Sequence, residues 1–207
     1  IEELEKVCKS LGLTDWWDRP HRCYRTTLPP RLSEALGYIL GFIIGDGGLA
    51  RARVKGGRER HTIFVLQSLR NRRYMERFLS YWRELFGKPP QEYVRRVSSE
   101  IRGRCVSSVV SSMRTRKKAI MLLLRGLGHD LEKLPTMPLG FIRGFLAGLL
   151  DSDGCVSIKR ARKGDRIYTT LNVVFAFEGR KEANLNLLLA LKRLGVHGHY
   201  DEKHNRV

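Results

Sequence analysis

One ten-residue phrase occurs twice in this chain, as ILGFIIGDGG at 39–48 and LAGLLDSDGC at 146–155. Each copy is an apolar run with small residues four positions apart, closing on Asp46-Gly47 or Asp153-Gly154. The two aspartates lie 107 positions apart (153 − 46), which one repeat unit nearly fills. A duplication on this scale predicts two similar halves facing each other across a pseudo-two-fold axis. It also predicts two copies of one acidic position.

Read as helices, 36–46 carries Gly37, Gly41 and Gly45 on one face, and 141–153 carries Gly144, Gly148 and Ser152 at the same spacing. A helix-interior glycine costs roughly 1 kcal/mol relative to alanine, so three in one helix need a compensating gain. Close approach of two backbones supplies it, because no Cβ stands between them. Two such helices side by side bring Asp46 and Asp153 together at one end of the seam. Neighbouring carboxylates raise each other's pKa unless a cation lies between them, and a divalent metal meets that need. A single Asp-Gly is also ordinary helix-ending turn chemistry. Duplication, with a hairpin pattern after each copy, favours the acidic site.

LAGLLDSDG at 146–154 is similar almost letter for letter to the LAGLIDADG motif of homing endonucleases, and ILGFIIGDG at 39–47 resembles a more diverged copy. Ile44 stands where that family often has its first aspartate, which Asp151 supplies in the second copy. The resemblance runs from about Pro30 onward. It implies an α+β fold of two pseudo-symmetric αββαββα repeats, with saddle-shaped antiparallel sheets and the paired motif helices at the interface. The corresponding division is an extension over 1–35, a first repeat over 36–128, a linker over 129–138 and a second repeat over 139–207.

The implied activity is metal-dependent hydrolysis of one phosphodiester per strand in a long, asymmetric double-stranded DNA site, by a monomer. Asp46 and Asp153 would hold the metal, with the carbonyls of Gly45 and Ser152 in contact. Mg²⁺ is the implied cofactor, with Mn²⁺ as a substitute and Ca²⁺ binding without supporting efficient cleavage. Gln67 and Glu178, 21 and 25 residues beyond their aspartates, are candidates for positioning water and equally fit ordinary strand-end polar residues. Two alternatives on the same fold stay open: an intron RNA maturase and a non-cleaving DNA-binding regulator. Acidic residues at both motif ends favour cleavage.

The charge balance points the same way. Lys and Arg number 39 against 21 acidic residues, a formal net charge of +18. A compact state with that much self-repulsion suits a polyanionic partner. Each motif leads into a two-stranded pattern rich in basic and polar side chains, and such a ribbon fits the major groove of B-DNA. The first offers Arg51, Arg53, Lys55, Arg58, Arg60 and His61, extended by Arg95, Arg102 and Arg104. The second offers Ser157, Lys159, Arg162, Lys163, Arg166, Tyr168, Thr170 and Asn172.

Elsewhere the chain reads as an amphipathic helix over 2–11 with Trp16 and Trp17 packing on the core, then Pro29-Pro30 as a boundary. A half-buried strand is expected over 49–54, a turn at Gly56-Gly57, a returning strand over 60–67 and a helix over 71–86. Further strands are expected over 91–97 and 102–112, then a helix over 116–124. The second half repeats the order with strands over 156–162 and 167–177 and a helix over 181–194. It then runs short of the first half's last strands and helix, being either reduced or followed by residues not given. Cys8, Cys23, Cys105 and Cys155 form no CxxC pair and read as reduced core thiols of an intracellular protein. His197 and His199 read as surface strand rather than ligands. No apolar run is long enough to cross a bilayer.

Overall fold

The computed structural model describes residues 28–29, 31–53, 57, 59–101, 104–129, 131–175, 181–204 and 206–207. The helix expected over 2–11, Trp16, Trp17, Cys8 and Cys23 lie outside them, as do Lys55, Arg58, Arg102 and Glu178.

Helix α1 (Glu34–Asp46) starts at Ser33, whose Oγ accepts from the Leu36 N–H at 3.3 Å, with Glu34 favourably placed in the first turn. Residues from Ala35 to Ile43 are all buried, so this helix is wrapped on every side. Strand β1 (Gly47–Arg53) follows directly and pairs antiparallel with β2 (Glu59–Ser68). A short 3₁₀ turn, Leu69–Asn71, leads into α2 (Arg72–Phe86), which stops at Gly87 with φ +77°. Strands β3 (Glu92–Ile101) and β4 (Arg104–Thr115) complete a sheet of order β1-β2-β4-β3, and α3 (Lys118–His129) closes the unit. The first half is thus a full αββαββα repeat.

The second half contains α4 (Leu139–Ser152), the ribbon β5 (Cys155–Lys163) with β6 (Arg166–Val174), and α5 (Lys181–Arg193). Beyond Gly195 the chain makes a single antiparallel bridge, Asp201 to Arg206, and Val207 exchanges both backbone hydrogen bonds with Phe175. That bridge stands where β3 and β4 stand in the first half. The architecture is α+β with two repeated units, as expected.

The seam between α1 and α4 explains the glycines. A Cβ on Gly41 would overlap the Phe145 carbonyl oxygen and lie 2.9 Å from the Leu149 nitrogen. A Cβ on Gly148 would overlap the Tyr38 oxygen and lie 2.9 Å from the Phe42 nitrogen. Gly37 meets the Phe141 backbone and Gly144 the Glu34 backbone in the same way. Each helix therefore presses its backbone against the other's. The core continues outward through aromatic pairs: Phe42–Phe78, Phe78–Trp82 and Trp82–Phe86 have ring centroids 5.1, 5.8 and 4.9 Å apart, tying α1 to α2.

Four expectations are corrected. The segment 129–138 is no plain linker: Leu131–Thr136 is a 3₁₀ helix, with Leu131, Leu134 and Met137 buried, while α3 runs on to His129. Strand β1 is half-buried only at its start, because it projects past the helices and leaves Ala50 through Arg53 exposed. Cys105 and Cys155 are exposed rather than core, since they lie on ribbon segments that no helix covers. His197 and His199 fall in a loop rather than a strand, and both are exposed.

Candidate functional site

Both motif helices end at the same place. Asp46 is the last residue of α1, and Asp153 caps α4 with its N–H bonded to the Leu149 carbonyl at 3.0 Å. The seam holds them close: a Cβ on Gly45 would overlap Ser152 Oγ and lie 3.1 Å from Asp153 Cβ. Ser152 Oγ turns away from the site and donates to the Gly148 carbonyl at 2.9 Å. Gln67, the penultimate residue of β2 and 5% exposed, donates from Nε2 to Asp46 Oδ2 at 2.6 Å. Its Oε1 accepts from the Ser68 N–H at 2.8 Å and from Asn71 Nδ2 at 3.4 Å, so the amide is held at both ends.

The two carboxylates are electrostatically strained. Burial, and next the negative charge of Asp153, push Asp46 up to about 6, against the lowering effect of Gln67. Among the described residues no cluster of three His, Cys, Asp or Glu side chains could hold a metal ion. A hard cation would fit the two carboxylate oxygens and relieve their repulsion, but its remaining donors must come from carbonyls, water or a bound phosphate.

A consequence for stability follows from the sign of the shift. Folded Asp46 binds its proton more tightly than an unfolded aspartate of pKa near 3.8. Its contribution is therefore greatest below about pH 4 and is lost as pH rises through about 6. In metal-free protein at pH 8, Asp46→Asn is expected to raise stability by about 1 kcal/mol, after allowance for solvent screening of a half-exposed group. Chemical denaturation of parent and variant at pH 4.5 and pH 8 checks it: the difference should be present at pH 8 and shrink at pH 4.5.

The sheet register sorts the basic residues expected at the DNA surface. Cross-strand partners share a face. Arg51 pairs with His61 and Arg53 with Glu59, so both arginines lie on the face of Ile63 and Val65, which packs on the helices. Leu49 sets this phase by packing on the core, and Arg51 is in an ion pair with Glu59. His61 is 7% exposed on that inner face, and no partner reaches either ring nitrogen by hydrogen bond. Burial, then the charge of Lys118, lowers its pKa, so it is corrected from a DNA contact to a buried neutral side chain.

The opposite, helix-free face carries Arg60, Thr62 and Phe64 on β2, Arg114 and Ser112 on β4, and Tyr93 and Arg95 on β3. Arg60 and Arg95 were expected there; Thr62, Tyr93 and Arg114 were missed. In the second ribbon Ser157, Lys159, Tyr168, Thr170 and Asn172 share one face, with Lys163 and Arg166 continuing it by register. Arg162 pairs with Ile167 on the other face and donates to the Gly164 carbonyl at 3.1 Å. That other face holds Val156, Ile158, Leu171 and Val173, all exposed, because no counterpart of α3 covers it among the described residues. Arg104 is placed by strand register alone.

Residues 140–206 match the family model described as the LAGLIDADG-like domain. The structure of I-DmoI in complex with DNA and Mn is 19% identical, with 85% of this chain and 88% of that chain covered and a TM-score of 0.52. I-DmoI in complex with DNA and Ca is 20% identical over 84% and 81%, with a TM-score of 0.52. Mesophilic variants of the homing endonuclease I-DmoI are 18% identical over 84% and 86%, with a TM-score of 0.51. No curated protein sequence matches the chain. The fold is that of the LAGLIDADG homing endonucleases. The chain belongs to the LAGLIDADG family, as a single polypeptide carrying two motifs.

Proposed function

We propose that this protein is a site-specific, divalent-metal-dependent double-stranded DNA endonuclease that acts as a monomer on a long, asymmetric site. The observation that carries this reading is the convergence of Asp46 and Asp153 at one end of the glycine seam, beside two ribbons with polar, helix-free faces. Asp46 and Asp153 are the groups that would hold the metal, together with the Gly45 and Ser152 carbonyls. A bound Mg²⁺ supplies an activated water and stabilises the leaving 3′ oxygen. Mn²⁺ is expected to substitute, and Ca²⁺ to bind without efficient cleavage.

The protein's own residues bind and orient. Gln67 fixes the Asp46 carboxylate from the sheet side, so that its other oxygen is presented in one direction. The helix-free faces hold the duplex, with Arg60, Arg95 and Arg114 as phosphate or guanine contacts in the first half. Lys159, Thr170 and Asn172 serve the second half. Because the two ribbons differ residue by residue, nothing obliges the two half-sites to be alike. The division into a first repeat at 36–128 and a second at 139–207 belongs to the same reading.

Two experiments test it. A randomised duplex library incubated with the protein in Mg²⁺, beside a chelator control, is expected to yield metal-dependent staggered cuts within one recurring long site. Salt-sensitive binding with no cutting would sink the nuclease reading in favour of an RNA maturase or a silent regulator. Arg60→Ala should weaken binding and lower the salt slope by about one, whereas Arg51→Ala, on the helix-side face, should leave both nearly unchanged. Titrations between 50 and 200 mM salt read this directly. Equal losses in both variants would refute the choice of face.

A further inference from the structure

The position four residues into each motif's last turn breaks the pseudo-symmetry. Ile44 in the first copy corresponds to Asp151 in the second, and Tyr38 corresponds to Phe145, both at the 107-residue offset of the aspartates. Ile44 packs as a partly buried apolar side chain. Asp151, with only 13% of its side chain exposed, accepts at Oδ2 from Tyr38 Oη at 2.8 Å and from Arg77 Nη1 at 2.8 Å. These bonds run from α4 to both α1 and α2, so the end of the second motif helix is fastened to the opposite half at two points. The backbone carbonyl of Asp151 also faces Gln67 Nε2, at 3.4 Å, on the same nitrogen that holds Asp46.

We propose that Asp151 is a positioning residue for the acidic site: anchored by Tyr38 and Arg77, it sets where α4 ends against the first half. It thereby places Asp153, two residues on, and Gln67 across the seam. The inference rests on the endonuclease reading and deepens it. Such a latch is needed on this side because the glycine seam fixes the separation of the helices but allows them to slide along each other. A slide of about 1 Å at a reacting centre costs roughly 100-fold in rate. Groups that orient metal-binding side chains typically contribute about 10- to 100-fold when removed.

The test uses Asp151→Asn and, because that variant alters a half-buried contact, also Arg77→Gln, whose arginine is 54% exposed on the surface of α2. Two readouts are taken: single-turnover cleavage with duplex Kd on the selected target, and the Gln67 side-chain amide resonance in metal-free, DNA-free protein. The expected result is a fall of about tenfold or more in cleavage rate with Kd unchanged within about twofold, and a shifted Gln67 resonance in both variants. Parental cleavage with an unmoved Gln67 resonance, accompanied only by a lower melting temperature, would reduce Asp151 to a structural ion pair and overturn the proposal. A parent that cuts no duplex while the Gln67 resonance moves in both variants would defeat the nuclease reading and leave the positioning geometry standing.

Discussion

Gly148→Ala is expected to unfold most of the protein, although it adds one methyl group and replaces a poor helix former with the best. The new Cβ would fall on the Tyr38 carbonyl oxygen and crowd the Phe42 nitrogen, and both are backbone atoms of a helix buried on all sides. A flexible side chain could swing away; a helix backbone cannot. The helices must part, and every aromatic contact fastened to α1 moves with them. Ordinary overpacking costs about 1–3 kcal/mol. Collision with backbone belongs above that range, at roughly 4–5 kcal/mol, against a total stability of about 5–15 kcal/mol. Gly41→Ala, which meets the Phe145 carbonyl, should behave alike. Gly140→Ala is the control: it lies in the same helix α4, a Cβ there meets nothing within 4 Å, and it should be neutral or stabilising by up to about 1 kcal/mol. Urea denaturation followed by circular dichroism separates the three. Native-like stability of Gly148→Ala would mean the seam is looser than described.

The largest effect on activity is expected from the two aspartates. Asp46→Asn and Asp153→Asn keep shape and hydrogen-bonding capacity while removing the charge that would hold a cation. Asparagine at 46 can still present its amide oxygen to Gln67 Nε2, so the local structure survives. Each variant should lose double-strand cleavage by about 1,000-fold or more, because hard oxygen donors are not replaced by an amide of lower charge. Affinity for duplex DNA should hold or rise slightly, since one negative charge facing the phosphates is gone. Cleavage and equilibrium binding on the selected target measure both. A folded variant that loses binding along with cleavage would show that the aspartates serve the structure.

How much of this was legible in the sequence depended on the kind of constraint. The motif helices and their contact were readable because Gly37, Gly41, Gly144 and Gly148 have no other reason to recur within helices. The pairing of Gln67 with Asp46 was signalled only by a matching position after the motif, and its bond length and its hold on Ser68 came from the fold. The face of the first ribbon was misjudged by following charge. Arg51 and Arg53 looked solvent-facing, but Leu49 two residues earlier must pack on the core and fixes the alternation the other way. His61 and Arg60 could not both face DNA, because adjacent strand residues point to opposite sides. Applying that rule from Ile63 and Val65 would have found Thr62. Tyr38 and Arg77 were invisible: they reach Asp151 across 113 and 74 positions, and no local pattern encodes such a meeting.

The most direct test is anomalous diffraction from crystals of the protein bound to its selected duplex in Mn²⁺. Convergence of the two motif ends into one metal-dependent site requires Mn²⁺ peaks in contact with the Asp46 and Asp153 carboxylates and with DNA phosphate oxygen. Mn²⁺ bound elsewhere on the molecule, or a duplex seated with both aspartates turned away from it, would contradict that site.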